Sequence, residues 1–233
     1  MLKKVVFGAL TLLLAMCLVG CGGGGDKGGA DKKDAAAMVE GTPDNAVRAY
    51  AQLYAYGIPD DEAFKASGLT QKDVEEIQVK VIGPLLESFR QYPLSEESAQ
   101  AITTQYIEKL QQAMEIKATV KKDDKTNPVV ELTATTINQE GANQVAENNT
   151  DLVALGTAMG ELQAQGFTEE QLKESPEFQQ FALESIDKFI NEFPLNAEAS
   201  IEVTCEAVDG ADGKKYWAPK DPEAIAKFVT GQK

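Results

Sequence analysis

The stretch ASIEVTCEA, residues 199–207, gives the clearest strand signal in the chain. Ala, Ile, Val, Cys and Ala occupy its odd-numbered positions, and Ser, Glu, Thr and Glu lie between them. Because successive side chains of a strand point to opposite faces, this alternation predicts one buried and one solvated face, as in an antiparallel sheet. The turn DGADG, residues 209–213, leads into 214–218, so the pattern predicts a β-hairpin.

A second hairpin is predicted upstream of this one. Apolar residues alternate with polar ones from Ile116 to Val120 and again from Val130 to Thr136, and the turn KDDKTNP, residues 122–128, separates the two runs. Both runs have the length and the period of strands.

Helical spacing of apolar residues surrounds the two hairpins. The first helix is predicted from Thr42 and Pro43, a good N-cap and first helical position, up to Gly57. A second begins near Thr70, and Gly83-Pro84 is expected to kink or break it. Further helices are predicted after Ser95, over about 141–165, near Ser175 and after Asp221.

This order of elements predicts the fold class. Helices followed by a hairpin, then helices followed by another hairpin, are typical of an α+β fold in which antiparallel hairpins or a sheet pack with several helices. The order also suggests two weakly similar halves, although no residue-level repeat accompanies it.

The first 20 residues are interpreted as a signal peptide. Lys3 and Lys4 form a positive start, and an apolar core follows from Val5 to Val19. That core is short for a membrane-spanning helix, and its flank is rich in small residues, so a secretory leader is favoured over a retained membrane anchor.

The leader ends in Leu18-Val19-Gly20-Cys21, which resembles the lipobox of bacterial lipoproteins at all four positions. The resemblance implies that the Cys21 thiol receives diacylglycerol, that a peptidase cuts before Cys21, and that the new amino group is open to acylation, for example with palmitate. Residues 21–41 are then a glycine-rich, flexible tether, and roughly 20 such residues span on the order of 25 Å. The folded domain is expected over residues 42–233.

The domain resembles a family of bacterial lipoproteins of unknown function labelled DUF5105. The residues that carry the resemblance are Thr42-Pro43, Val47, Tyr50, Tyr216-Trp217 and Gly231. It implies a cystatin-like or NTF2-like α+β fold over about residues 41–231 and brings no catalytic residues.

Composition excludes several classes of protein. The net charge of −15 repels phosphate backbones and anionic lipid, so nucleic acid is not an expected partner, and any membrane attachment must come from the lipid on Cys21. The absence of histidine from the chain removes Ser–His–Asp and Cys–His catalysis and every histidine-containing metal site. No cofactor or metal ligand set is predicted.

Candidate catalytic groups have simpler explanations. Adjacent carboxylates are interpreted as solvated residues or helix starts, and they occur at Asp60-Asp61, Glu75-Glu76, Glu96-Glu97, Asp123-Asp124 and Glu169-Glu170. Asp209 and Asp212 are assigned to a hairpin turn and not to a calcium loop, and Cys205 to the core.

Two weaker signals concern binding. A pocket is conceivable among the aromatic residues Tyr50, Tyr54, Tyr56, Tyr106, Tyr216 and Trp217. Gly156 and Gly160 allow close packing of a helix, and a soluble homodimer face is left open.

Together these observations predict a non-enzymatic, lipid-anchored protein on the outer side of the cell membrane or on the outer membrane. Its domain is expected to bind an envelope protein, a peptide or a small ligand. The alternatives are an envelope glycan hydrolase that uses paired carboxylates, and a structural or adhesive surface protein.

Overall fold

The computed structural model describes residues 38–90 and 92–232, and this part of the chain has an α+β fold. Its five strands are β1 (Val39–Glu40), β2 (Ile116–Lys122), β3 (Val129–Ala134), β4 (Ala199–Asp209) and β5 (Lys215–Pro219). Its nine helices are α1 (Pro43–Tyr56), α2 (Asp61–Ser67), α3 (Gln71–Arg90), α4 (Glu96–Ala113), α5 (Gln139–Asn148), α6 (Thr150–Ala164), α7 (Glu169–Glu174), α8 (Pro176–Asn191) and α9 (Pro222–Val229). The predicted fold class is confirmed.

The strands form one mixed sheet in the order β1-β5-β4-β3-β2. Both predicted hairpins, β2–β3 and β4–β5, are present, and β3 pairs antiparallel with β4, with Val130 opposite Val203. β1 adds a short parallel strand beside β5. The two hairpins are therefore halves of one sheet, although four helices separate them along the chain.

Helix α1 lies at the centre of the fold and packs against β2, β3 and β5. Ala46, Ala49 and Ala51 are fully buried, as are Val47 and Leu53. Small side chains let the helix backbone approach the sheet closely, and the larger ones fill the space between the two layers. Helices α2, α3, α4 and α9 also contact α1.

A second group of helices packs outside this layer. Helix α4 contacts both α3 and α8, and α8 in turn contacts α6 and α7. Helix α8 buries Phe178, Ile186, Phe189 and Ile190 in the same core cluster that includes the sheet residues Val130 and Leu132. Within the described residues the hydrophobic core therefore extends from the sheet to this outer helical layer.

The suggested twofold organisation is present in the order of elements and not in the packing. Four helices and a hairpin occur twice, as α1–α4 with β2–β3 and as α5–α8 with β4–β5. In the first set the opening helix α1 packs on the sheet, whereas α5, which opens the second set, packs on α6.

Four details differ from the sequence-based expectations. Helix α3 continues without a break through Pro84, the single helix predicted over about 141–165 divides into α5 and α6 at Asn149, and the short helices α2 and α7 were not predicted. Sheet structure also begins before Thr42, because Val39–Glu40 at the end of the expected tether already pairs with β5.

Candidate functional site

A cleft of about 280 Å³ opens between helices α2 and α3 and the turn that joins β4 to β5. We call it the hairpin cleft. Helix α3 supplies four lining residues, the end of α2 and its loop three, the hairpin four and α1 one. These are Asp73, Glu76, Ile77 and Lys80, then Ser67, Gly68 and Leu69, then Val208, Asp209, Gly210 and Tyr216, and finally Tyr50.

Two glycines hold the ring of Tyr216 in the wall of the hairpin cleft. Gly68 ends α2 in the left-handed conformation with φ 68°, and a Cβ atom there would overlap the Tyr216 ring. A Cβ atom at Gly210 would lie 2.6 Å from Cε2 of the same ring. The ring is thus enclosed by two backbone segments that only glycine lets approach so closely.

The hydroxyl group of Tyr216 is fixed by the hairpin turn. It donates to Oδ2 of Asp212 at 2.9 Å, and the backbone N–H of Lys214 donates to Oδ1 of the same carboxylate at 3.1 Å. These two hydrogen bonds, first that of Lys214 and then that of Tyr216, lower the pKa of Asp212. The predicted role of Asp212 in a hairpin turn agrees with this geometry.

Tyr50 of α1 contributes a second aromatic ring to the hairpin cleft. Burial, with smaller contributions from Tyr54 and Asp73, raises the pKa of Tyr50 to about 12. Its ring centroid lies 6.4 Å from that of Tyr54. The Tyr50 hydroxyl therefore stays protonated at neutral pH in a setting that disfavours negative charge.

Three carboxylates and one lysine give the hairpin cleft its charge. Asp73 accepts hydrogen bonds from the backbone N–H and the hydroxyl of Thr70, at 2.7 and 2.6 Å, which fixes the start of α3. Glu76 lies 3.6 Å from the Lys72 amine. Because these contacts are made at the helix surface, the carboxylates keep oxygen lone pairs that a ligand could engage.

Asp209 is the third carboxylate, and its Oδ1 lies 3.7 Å from the Lys215 amine. Its side chain is 82% exposed, and that of Glu76 is 58% exposed. Lys80 is the cation among the lining residues. The formal charge of the lining is therefore negative.

The predicted aromatic set divides between two cavities and the core. Tyr54, Tyr56 and Tyr106 line a separate apolar cavity of about 50 Å³. Trp217 is 9% exposed and belongs to the core cluster. A cavity of 50 Å³ is well below the roughly 300–1,000 Å³ that is usual for small-molecule sites, so the hairpin cleft is the better candidate.

A more open groove of about 390 Å³ lies beside α5. Its Asn149 side chain donates to Oε2 of Glu192 at 2.9 Å, and its Asn148 amide donates to the Gln144 carbonyl at 2.7 Å. These polar groups are already used within the protein, and aromatic residues are not among the groove's lining.

The paired carboxylates act mainly in local structure. Asp60 caps α2 by accepting from the Ala63 N–H at 2.8 Å. Burial alone would raise the pKa of Asp60, but this bond and the contacts with Gln52 and Arg48 outweigh it, so the pKa is lowered. Hydrogen bonds from Arg90, then from Gln100, lower the pKa of the exposed Glu96.

Asp124 holds the turn of the first hairpin. The backbone N–H groups of Thr126 and Asn127 donate to its Oδ1 at 2.9 and 3.0 Å, and these bonds lower its pKa. Glu169 and Glu170 lie in the first turn of α7, as expected for helix-start residues. Glu75 accepts from Gln71 one turn earlier on α3.

Cys205 is fully buried in β4, and burial, followed by the charge of Asp44, raises its thiol pKa to about 12. This agrees with a core role, because the thiolate form needed for reactivity is suppressed. Among residues 38–90 and 92–232, no group of three or more Cys, Asp or Glu side chains is arranged to hold a metal ion.

Two predictions remain untested by this geometry. Cys21, the predicted lipidation site, lies outside the described residues together with the leader and most of the tether. Gly156 and Gly160 lie on α6, which packs against α8, while Val153 on the same helix is 41% exposed. The homodimer face stays a prediction.

Where the structure is described, no helix has the length and apolar character needed to span a membrane.

Gly68 and Gly210, which pack against the Tyr216 ring, were not predicted as parts of a site. Gly68 looks in sequence like an ordinary helix end, and Gly210 looks like an ordinary turn residue. Nothing in a single sequence connects them, since they meet only through the contact of α2 with β5.

Comparisons with known proteins do not assign this chain to a family. No protein-family model matches the chain, and no curated protein matches it. Among solved structures it is similar to a crystal structure described as a "putative lipoprotein (ycdA)" from Bacillus subtilis subsp. subtilis str. 168, with 13% identity and a TM-score of 0.46. The match covers 81% of this chain and 56% of that chain, so this chain spans just over half of its length. A likeness of that size carries no conclusion about family or function.

Proposed function

We propose that this chain is a lipid-anchored, extracytoplasmic protein of the bacterial cell envelope whose domain binds a ligand in the hairpin cleft. The observation that carries the anchoring is Leu18-Val19-Gly20-Cys21 at the end of a short apolar run, directly followed by glycines. The resemblance to lipoproteins labelled DUF5105 is part of this proposal and not independent support for it.

The charge of the chain and the chemistry of acyl chains both favour a covalent lipid anchor. The chain is strongly acidic, so charge does not attract it to anionic lipid. Covalent acyl chains supply about 0.8 kcal/mol for each buried methylene, and two or more chains hold a protein durably at a bilayer. A glycine-rich tether then leaves the domain free to meet ligands above the headgroups.

Replacing Cys21 tests the anchor. The Cys21→Ala chain is expected to lose fatty-acid labelling and to move from the detergent phase to the aqueous phase on phase partitioning. Cys17→Ala is the matched control, because Cys17 lies inside the leader and should leave both results unchanged. Unchanged labelling of Cys21→Ala would contradict the lipid anchor.

The binding role rests on the hairpin cleft. It combines two aromatic rings, aliphatic side chains and charged groups in one concavity, which is the usual composition of a ligand site. The carboxylates there are either bonded to a helix start, as in Asp73, or near surface lysines, as in Glu76 and Asp209. This arrangement favours binding over the glycan hydrolase alternative, which needs two carboxyl groups set in contrasting environments.

Native mass spectrometry of the intact lipidated chain in detergent tests the binding role. We expect a bound small molecule on the wild type that is lost in Ile77→Trp, because the larger side chain fills the hairpin cleft. Val79→Trp is the control, since Val79 lies on the same helix, is 71% exposed and does not line the cleft. An apo mass for wild type, or equal loss in both variants, would contradict the proposal.

A further inference from the structure

We propose that the hairpin cleft selects a small organic cation, namely an ammonium group carried on an apolar or aromatic body. This inference rests on the proposed binding function and adds the chemical class of the ligand. The charge, the aromatic walls and the size of the hairpin cleft support this class.

The charge of the hairpin cleft favours a cation. Asp73, Glu76 and Asp209 face it from two elements, and Lys80 is the positive residue among its lining side chains. The whole chain carries a net charge of −15, so the surrounding field has the same sign. With three carboxylates against one lysine, the lining has a net negative formal charge, which attracts cations and repels a carboxylate or phosphate ligand.

The aromatic residues of the hairpin cleft add a second reason. Tyr50 approaches it from α1 and Tyr216 from β5, so two separate elements supply rings. Ammonium groups are attracted to aromatic rings by the ring quadrupole, most strongly where water is partly excluded. Gly68 and Gly210 pack closely against the ring of Tyr216, so this ring is held in place before a ligand binds.

The size and the apolar lining define the rest of the ligand. A volume of about 280 Å³ is at the lower end for small-molecule sites, which suits a compact amine and not a large polymer segment. Leu69, Ile77 and Val208 provide aliphatic surface between the charged groups. An ammonium ion with a short apolar body therefore matches the carboxylate, aromatic and aliphatic parts of the lining.

Three probes of similar shape and different charge test this assignment. Phenethylamine is a cation at pH 7, 2-phenylethanol is neutral and 3-phenylpropionate is an anion. The intact, isotope-labelled chain in non-ionic detergent is titrated with each probe by NMR. We expect phenethylamine to bind about tenfold more tightly than 2-phenylethanol, to weaken with added salt and to shift the amide signals of Gly68 and Gly210.

Adjacent glutamates provide matched variants. Glu76→Gln removes a charge that lines the hairpin cleft and is expected to weaken phenethylamine binding about threefold. Glu75→Gln makes the same chemical change one residue away, at a position that does not line the cleft, and should leave binding unchanged. Equal effects of the two variants would overturn the assignment.

The outcomes separate this inference from the proposed function. Binding of 2-phenylethanol or 3-phenylpropionate as tight as that of phenethylamine, at the same amides, would overturn the cationic class and leave the binding function standing. If no probe binds while the native mass retains a molecule sensitive to Ile77→Trp, the class is again wrong and the function stands. Loss of both signals would overturn both.

Discussion

At the scale of single residues, the packing around Tyr216 shows that the hairpin cleft depends on glycines, which leave room for the ring because they have no side chain. Gly210 does not have a positive φ, so its requirement for glycine is steric and not conformational. Its hypothetical Cβ atom would meet Cε2 and Cδ2 of the Tyr216 ring at 2.6 and 2.7 Å. Because the ring is already held by Asp212 and faces Gly68 on α2, it has little room to move.

Gly210→Ala is therefore expected to lower the free energy of unfolding by about 1–3 kcal/mol, the usual cost of overpacking. The measurement is urea unfolding of the intact chain, repeated in a Tyr216→Ala background. There the substitution should cost much less, because the ring with which it collides is gone. Equal costs in the two backgrounds would show that the contact with Tyr216 is not the cause.

The Gly83-Pro84 pair, where a kink or a break was expected, does not break helix α3. Proline disfavours a helical conformation at the preceding residue, partly through a clash with its Cβ atom. Gly83 has no Cβ atom, so this part of the clash is removed and α3 continues to Arg90. Buried contacts on both sides of the proline, by Val74 before it and Leu85 after it, hold the two parts in place.

At the scale of elements, Asn149 divides what the apolar periodicity predicts as one helix. Its side chain caps α6 by accepting from the Leu152 N–H at 3.0 Å, and its amide donates to Glu192 at 2.9 Å. The backbone at Asn149 is extended, with ψ 116°, so the chain changes direction there. The spacing of apolar residues along the chain does not reveal such a turn when the second helix continues the helical period of the first.

Asn149→Ala is expected to cost about 1–2 kcal/mol of stability, because it removes the helix cap and leaves the buried N–H of Leu152 without its acceptor. Asn148→Ala is the matched control, since that exposed neighbour bonds only within its own helix, to Gln144. Thermal unfolding of both variants measures the difference. If Asn148→Ala costs as much as Asn149→Ala, the cap is not what stabilises the junction.

The elements that sequence did predict are those whose own pattern repeats. Strand β4 and the two strands of the first hairpin alternate over five or more residues, and α1 has Pro43 at its first position and a clear stop at Gly57. Helices α2 and α7 have seven and six residues, too short for a helical period to emerge. Helix α7 did carry one readable sign, the capping box of Thr168 and Gln171.

At the scale of the whole molecule, the long-range arrangement was beyond the reach of the sequence. The α+β class follows from element order, but the pairing of β3 with β4 joins segments separated by four helices. The hairpin cleft depends on that arrangement, since Tyr50, Asp73 and Tyr216 come from three distant parts of the chain. A local sequence pattern does not show which distant surfaces meet in the fold. Aromatic residues could therefore be predicted to line a pocket, but the sequence could not show which of them share one.

The short strand β1 has a mechanical consequence. Any tension that reaches the domain through the chain before Val39 acts first on the pairing of Val39 and Glu40 with β5, and next on Gly41. Detaching these three residues releases at most about 10 Å of chain while the buried alanines of α1 stay in place. Such a load also acts beside Tyr216, the register partner of Glu40, so it reaches the wall of the hairpin cleft together with the edge of the core, against which Val39 packs.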